Sequence, residues 1–319
     1  MKKYLLMAVC IIMMSMTASA ISINKALLDH NGTVTLYDGL QEAINASSDG
    51  DVIYLTLGTF KGEFTISKKI TIRGTGATSI IDGDVNISIP GSAKLTSPVL
   101  EALAVSGTIN VGAQVDDMIL RKCKIANFTI GAQVDGAVLD RCYVTNSLTL
   151  SSYIKGMTVV NTKLYHVKAN SGATQNTTFV NCNFYQLHTN NFSGTILNSV
   201  IQGRRNDYNG GSGYILNSTV ILNSVINSST ADGYSSYFQI GSSSVAQGCY
   251  YVSTYDYVNS SCECNPNSSY TGTDDKIVGI YGGDTPYTLE PSVPKVTNSD
   301  LKLDIEKKEL NVKLTVSPQ

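Results

Sequence analysis

Residues 112–123 read GAQVDDMILRKC, and nineteen positions on, residues 131–142 read GAQVDGAVLDRC. Self-similarity at a period near twenty marks a stacked array, in which each repeat buries its apolar face only against its neighbours. The rows continue as MILRKCKI (118–125), AVLDRCYV (137–144), MTVVNTKL (157–164), TTFVNCNF (177–184), GTILNSVI (194–201), GYILNSTVI (213–221) and, more loosely, SVAQGCYY (244–251). Superposed, they give one apolar column of Leu120, Leu139, Val159, Phe179, Ile196 and Ile215. A column of small residues follows, Cys123, Cys142, Thr162, Cys182, Ser199 and Ser218, and then a second apolar column, Ile125, Val144, Leu164, Phe184, Ile201 and Val220.

Strand alternation sends every second side chain inward, and a break in it marks a corner between two strands. The corner position is Lys122, Arg141, Asn161, Asn181, Asn198 and Asn217. Asparagine tolerates the left-handed backbone a corner requires, and its amide can bond to the copy above and below. A second short strand follows in several rows, with Phe128 and Ile130, Leu148 and Leu150, and Val167 and Ala169. These patterns specify an all-β chain wound as a parallel β-solenoid, its coils stacked at about 4.8 Å.

Upstream, YDGLQEAINASSDGD (37–51) reads as a short cap helix. Asp38 is the expected N-cap, with Gln41 completing a capping box, and Leu40, Ala43 and Ile44 share one face. Such a helix covers the open first edge that a solenoid must hide. Downstream, Leu301, Leu303 and Ile305 alternate, EKKE turns, and Leu310, Val312, Leu314 and Val316 alternate again, so the tail is expected to be a β-hairpin closing the other end.

The first twenty residues, MKKYLLMAVCIIMMSMTASA, have a basic start, an apolar run and a small-residue end, the three parts of a secretory leader. No other stretch approaches the ~20 apolar residues of a membrane span. The expected organisation is a leader at 1–20, an N-terminal strand and cap helix at 21–50, a parallel β-helix at 51–270, and a tail with a hairpin at 271–319. Without Lys2 and Lys3, the 23 basic residues become 21 against 25 acidic ones, a net charge of −4. Nucleic acid is not an expected partner, because phosphate neutralisation needs concentrated basic charge.

The stretch YDGLQEAINASSDGDVIYLTLGTFKGEFTISKKITIRGTGATSIIDGD resembles the opening of right-handed parallel β-helix proteins of the pectin lyase-like superfamily: a cap helix, a GD, a strand, a G-x-F/Y, then the first coils. The resemblance covers residues 35–260. The tail, IVGIYGGDTPYTLEPSVPKV followed by LKLDIEKKELNVKLTV, resembles the ends of secreted β-helix proteins of Bacteroides-type bacteria. It implies a single-stranded right-handed β-helix in the periplasm, at the surface or outside a Gram-negative cell. It is poor for activity, since the superfamily holds lyases, hydrolases, esterases and non-enzymatic surface proteins.

The hydrolase set, with paired aspartates near N-T-D and D-D, G-H-G and R-I-K, is missing: Asn161-Thr162-Lys163 stands where an aspartate is wanted. A lyase needs clustered carboxylates to hold Ca²⁺ and a Lys or Arg as base. Asp116, Asp135 and Lys155 fall at equivalent places of three successive coils and are the alternative catalytic column, with Asp116 and Asp135 as its metal ligands. The other reading is a charge-balanced outer ladder, and Asp140 beside Arg121 looks like another. No cofactor is expected outside the lyase alternative. His30, His166 and His188 suggest a solvated polar face. The column Cys123, Cys142 and Cys182 is expected to pack inward, and one disulfide is expected among Cys249, Cys262 and Cys264. Arg204, Arg205, Asp207 and Tyr208, on the glycine-flanked stretch 203–211, bring two guanidinium forks, a carboxylate and an aromatic ring together and are the expected ligand-binding set. The tyrosines of 250–257 are a second candidate surface for a glycan. The functional expectation is a non-catalytic secreted or surface β-helix protein with a glycan-binding or adhesive role; the alternative is a lyase acting on uronic-acid polymers.

Overall fold

Why a coil closes is visible in one turn of the repeat. In the computed structural model, residues 114–116 form a strand on one face and residues 119–121 a strand on the next. The chain then turns at Lys122 and runs through residues 124–130 on another long face before returning at Val134 to the face of residues 114–116. The description covers residues 24–317 except 90, 92, 152, 170–176, 189–193, 203–213, 217–218, 227–237, 241, 253–260, 264–268, 292–294 and 305–308. Stacking such coils gives two sheets of twelve strands each, called here the first and second sheets, and a third face with a three-stranded sheet. The chain is a parallel β-solenoid, and its described residues are almost entirely β with one helix.

Registers confirm the inward columns. Leu120 lies opposite Leu139, Leu139 opposite Val159, Val159 opposite Phe179 and Phe179 opposite Ile196, all parallel and all buried. On the second sheet Ile125, Val144, Leu164, Phe184 and Ile201 stack likewise. Phe179 and Phe184 meet edge to face across the interior, ring centroids 5.1 Å apart. The corners have positive φ, from 53° at Lys122 and Arg141 to 44° at Asn161, 52° at Asn181 and 49° at Asn198. Among the described residues no Val, Ile or Thr takes a positive φ, which a β-branched side chain resists.

The row after Ile196 differs from expectation. Ile221, not Ile215, stacks on Ile196. Ile215 pairs with Gln239 in a separate two-stranded sheet. The tripeptide Leu-Asn-Ser occurs at both 216–218 and 222–224, and pairing of Val220 with Thr195 selects the second copy. Asn223 therefore takes the corner (φ 44°) and Ser224 the small inward place. Residues 217 and 218 lie outside the described residues. The last row holds as expected, with Ala246 on Ile221 and Tyr251 on Ile226.

The cap helix forms over Leu40–Ala46 with Leu40, Ala43 and Ile44 buried, but the capping box does not. Its N-cap is Gly39, which makes no side-chain cap bond, and Asp38 instead pairs with Lys25. The Gln41 amide is engaged elsewhere: its Oε1 accepts from Thr65 N (2.8 Å) and its Nε2 donates to Thr65 O (3.3 Å). Strand Phe64–Ile66 is paired on one side only, so Gln41 stands in for the missing neighbour strand. Lys68 Nζ donates to the carbonyls of Ile44, Asn45 and Ser47 at 2.6–3.1 Å, satisfying groups that the helix C-terminus leaves unpaired.

The small inward column does more than fill volume. Thr162 Oγ1 accepts from Cys142 N (3.2 Å) and donates to Val160 O (2.8 Å), and Ser199 Oγ repeats this with Cys182 N (3.0 Å) and Leu197 O (2.8 Å). Cys123, Cys142 and Cys182 are fully buried free thiols. Burial pushes the Cys142 thiol well up and the Cys182 thiol up to about 12. All three are expected to resist a maleimide in the native protein and to react on denaturation, because reaction needs an accessible thiolate. Rapid native labelling of the three, read by mass spectrometry, would place the column on the outside.

Candidate functional site

The charged column lies on the outside of the third face. Asp116 is in register with Asp135, and the bridge from Val134 to Ile154 brings Lys155 to the next place. Lys94, one coil earlier, forms an ion pair with Asp116. In register the column reads Thr96, Asp116, Asp135 and Lys155, while Lys94, opposite Gln114, reaches Asp116 diagonally, so that two cations offset the two carboxylates. Among the described residues, no group of three or more His, Cys, Asp or Glu could hold a metal ion. A second ladder runs along the first sheet beside the corner: Arg73, Glu101, Arg121 and Asp140 occupy one register position in successive strands. Arg73 bonds Glu101 (2.8 Å), while Arg121 (3.1 Å) and Arg141 (2.6 Å) both reach Asp140.

The histidines do not converge. His30 pairs with Asp51 (2.8 Å), and His166 stands opposite Gln186 while His188 stands opposite Lys168. The expected disulfide does not join Cys249 to Cys262, which are both free thiols. The reason is topological: Cys249 packs against the interior and Cys262 belongs to a cluster on the outer side of the second sheet. Cys264 lies outside the described residues, as do Arg204, Arg205, Asp207 and Tyr208.

Early coils repeat at 19 or 20 positions, as from Leu120 to Leu139 to Val159, whereas Ile196 to Ile221 and Ile221 to Ala246 are each 25. In both long coils the second-sheet strand shortens to two residues, Val200–Ile201 and Val225–Ile226. The stretches 203–213 and 227–237 then intervene before strands Tyr214–Leu216 and Phe238–Ile240, which pair with each other. The two stretches are each eleven residues long and occupy the same place in their coils, between a second-sheet strand and a strand of the two-stranded sheet.

One cluster escaped the sequence reading. Residues 261–263 and 269–291 lie against the corner and the outer face of the second sheet and are called here the strap. Asn198 Nδ2 donates to Thr273 Oγ1 (3.1 Å) and its Oδ1 accepts from Thr273 N (3.0 Å). Asn183 Nδ2 donates to Cys262 O (3.0 Å), and Asn161 Nδ2 donates to Ile280 O (3.1 Å) and Gly282 O (2.8 Å). The corner asparagines expected to bond one another thus serve the strap. Gly283 is required here: its φ is 73°, and a Cβ would lie 2.3 Å from Asn181 Nδ2. Tyr185, Val200, Val225, Cys262 and Val278 form a second small core between strap and wall, joined by Tyr250, whose ring lies 5.0 Å from that of Tyr270. Tyr250 is thereby committed to packing rather than to an open surface.

At the centre of this contact Lys163, whose side chain is 7% exposed, forms an ion pair with Glu263. Its ammonium lies 4.3 Å from the ring centroid of Tyr287 and 5.3 Å from that of Tyr143. Tyr281 Oη donates to Glu263 at 2.6 Å. Burial raises the Glu263 pKa, but the Lys163 and Tyr281 hydrogen bonds outweigh it, leaving the carboxyl below its ordinary value of 4.5. Burial pushes the Tyr143 phenol up to about 12. The lysine in the place where a hydrolase would carry an aspartate is therefore a strap anchor.

No helix among the described residues is long and apolar enough to cross a membrane. No family model, no curated protein and no solved structure matches this chain, so what identifies it is its architecture, an all-β parallel solenoid with its C-terminal segment strapped along the outside.

Proposed function

We propose that this chain is a non-catalytic, secreted or surface-displayed β-helix protein of the pectin lyase-like kind that binds a glycan through the insertions of its later coils. What supports the reading is the lengthening of two successive coils to 25 positions, each by a stretch of eleven residues, 203–213 and 227–237, between a second-sheet strand and a strand of the two-stranded sheet. Recognition is usually placed on the segments that lengthen individual coils of a rigid scaffold. Their composition suits a hydroxyl-rich or acidic sugar: Arg204, Arg205, Asn206, Asp207 and Tyr208 in the first, Asp232, Tyr234 and Tyr237 in the second. Guanidinium forks and amides bond hydroxyls and carboxylates, and tyrosine rings stack on the apolar face of a pyranose. The lyase alternative, through Asp116, Asp135 and Lys155 with Ca²⁺, is the weaker reading, because Lys94 already balances that column.

On a glycan array, Arg204→Ala and Tyr208→Ala are each expected to weaken binding about tenfold, the equivalent of one charge-assisted hydrogen bond or one stacking contact, with the melting temperature unchanged. Unaltered glycan affinity in both variants would remove these loops from the reading. Release of unsaturated uronate from polygalacturonate or alginate, abolished by Lys155→Ala, would put the lyase in its place.

A further inference from the structure

The outer surface of the first sheet changes character halfway along. Beside the corner, the outward register position is charged through Arg73, Glu101, Arg121 and Asp140, and then becomes Val160, Val180, Leu197 and Leu222. These four are only half-buried, and the neighbouring outward column is Thr158, Thr178, Thr195 and then Val220 and Val245, which are 36% and 53% exposed. An uncharged stripe of this kind on an outer sheet face calls for a covering partner.

The C-terminal hairpin has the complementary need. Strands Lys295–Asp304 and Glu309–Ser317 pair with each other and with no other described strand. Their register sets Leu301 opposite Val312, Leu303 opposite Leu310 and Ser299 opposite Leu314. Alternating with these are Asp300 opposite Lys313 and Lys302 opposite Asn311. In the sequence, apolar and polar residues thus alternate along both strands, and a two-stranded hairpin is marginal until it packs against something else.

The strap decides where the hairpin starts. It ends with Pro291 against Gly76, where a Cβ would lie 3.4 Å from the proline ring, in the coil that carries Arg73. The hairpin is therefore delivered near the first coils and not at the last coil, which it was expected to close. From Arg73 to Val160 is four strand steps, about 19 Å, and to Leu222 seven steps, about 34 Å. Residues 292–294 allow Lys295 up to about 14 Å from Pro291, and Leu301 and Leu303 lie a further ~20–27 Å along an extended strand. The apolar end of the hairpin can span that distance, over the stripe and beyond the charged ladder.

We propose that the hairpin of residues 295–317 docks apolar face down on the Val160–Val180–Leu197–Leu222 stripe of its own chain, forming a second layer over the outside of the solenoid. A three-residue connection to a fixed strap gives the hairpin a high effective concentration at its own stripe, which favours that site over the stripe of a second copy. Face-to-face sheets pack about 10 Å apart, a layer thickness that side chains of leucine and valine fill.

The test is a cysteine pair, Val180→Cys with Val312→Cys, in the full chain under mild oxidation, with each single variant as control. The expected result is a disulfide within one chain, seen as a faster-migrating monomer on a non-reducing gel and as a linked peptide by mass spectrometry. No link, or a covalent dimer, overturns the proposal, the second outcome assigning the stripe to another copy. Independently, Leu303→Lys is expected to raise binding of an apolar fluorescent dye several-fold without altering the melting temperature of the solenoid. Unchanged dye binding in that variant also overturns it.

Discussion

Replacing Leu139 by aspartate is expected to lower the melting temperature by about 10–20 °C, the equivalent of about 5 kcal/mol in a chain of this size. Leu139 is 1% exposed and stacks between Leu120 and Val159 in the first inward column. The substitution loses the transfer free energy of a leucine, about 2–3 kcal/mol. It also places a carboxyl among apolar side chains with no partner, a further cost of about 2 kcal/mol or more even if the group takes up a proton. The total is comparable to the entire margin by which a domain is folded. Val138→Asp, one position earlier and facing outward, is expected to cost about 1 kcal/mol or less. Thermal denaturation of the two variants side by side checks the register, and equal effects would show that Leu139 is not an inward member of the column.

Glu263→Ala is expected to free the strap while leaving the solenoid folded. It strands the Lys163 ammonium, 7% exposed, between Tyr143 and Tyr287. Breaking a fully buried pair costs about 3–5 kcal/mol, and allowing for the solvent that reaches the Glu263 carboxylate brings this to about 2 kcal/mol. Limited proteolysis and hydrogen exchange should report faster opening of residues 269–287 and little change in the inward columns. The double variant Lys163→Met with Glu263→Met should recover most of the protection, because no unpaired charge remains. Failure of Glu263→Ala to change exchange in the strap would show that the asparagine contacts alone hold it. The same pair gives a pH dependence. The folded pKa of Glu263 is depressed, so its contribution is present above the ordinary value of 4.5 and is lost as pH falls through the lower folded value. Strap opening should therefore increase below about pH 4.5, while the inward columns, which carry no carboxylate, are not directly titrated.

The inward columns were legible because alternation with a break at a left-handed corner is a local pattern, written afresh in every coil by residues such as Leu120, Lys122 and Ile125. Register went astray at Ile215, where the sequence offers Leu-Asn-Ser twice within nine positions and only the preceding coil chooses between the copies. Asp38 read as a capping residue since nothing local tells that Gln41 is needed by the edge of strand Phe64–Ile66. The strap was illegible for a different reason. Its contacts join residues 75 to 121 positions apart, as in Asn198 with Thr273 and Asn161 with Gly282, and carry no period. The stacking of Asp116, Asp135 and Lys155 followed directly from the repeat, whereas the Lys94 that balances it comes from a coil whose row the repeat had not reached.

A solenoid in which each coil touches only its neighbours is thermodynamically a one-dimensional chain, able to fray from either end one rung at a time. The strap changes the dimensionality of that problem. By bonding to Asn198, Asn183 and Asn161 and then lying against Gly76, it makes the loss of any one of these coils felt by all of them. Terminal fraying is then coupled to the middle, and the unzipping series of a repeat array gives way to a single cooperative transition. A rod that would otherwise melt from its tips becomes an object that is either whole or unfolded, with the strap setting how many coils share that fate.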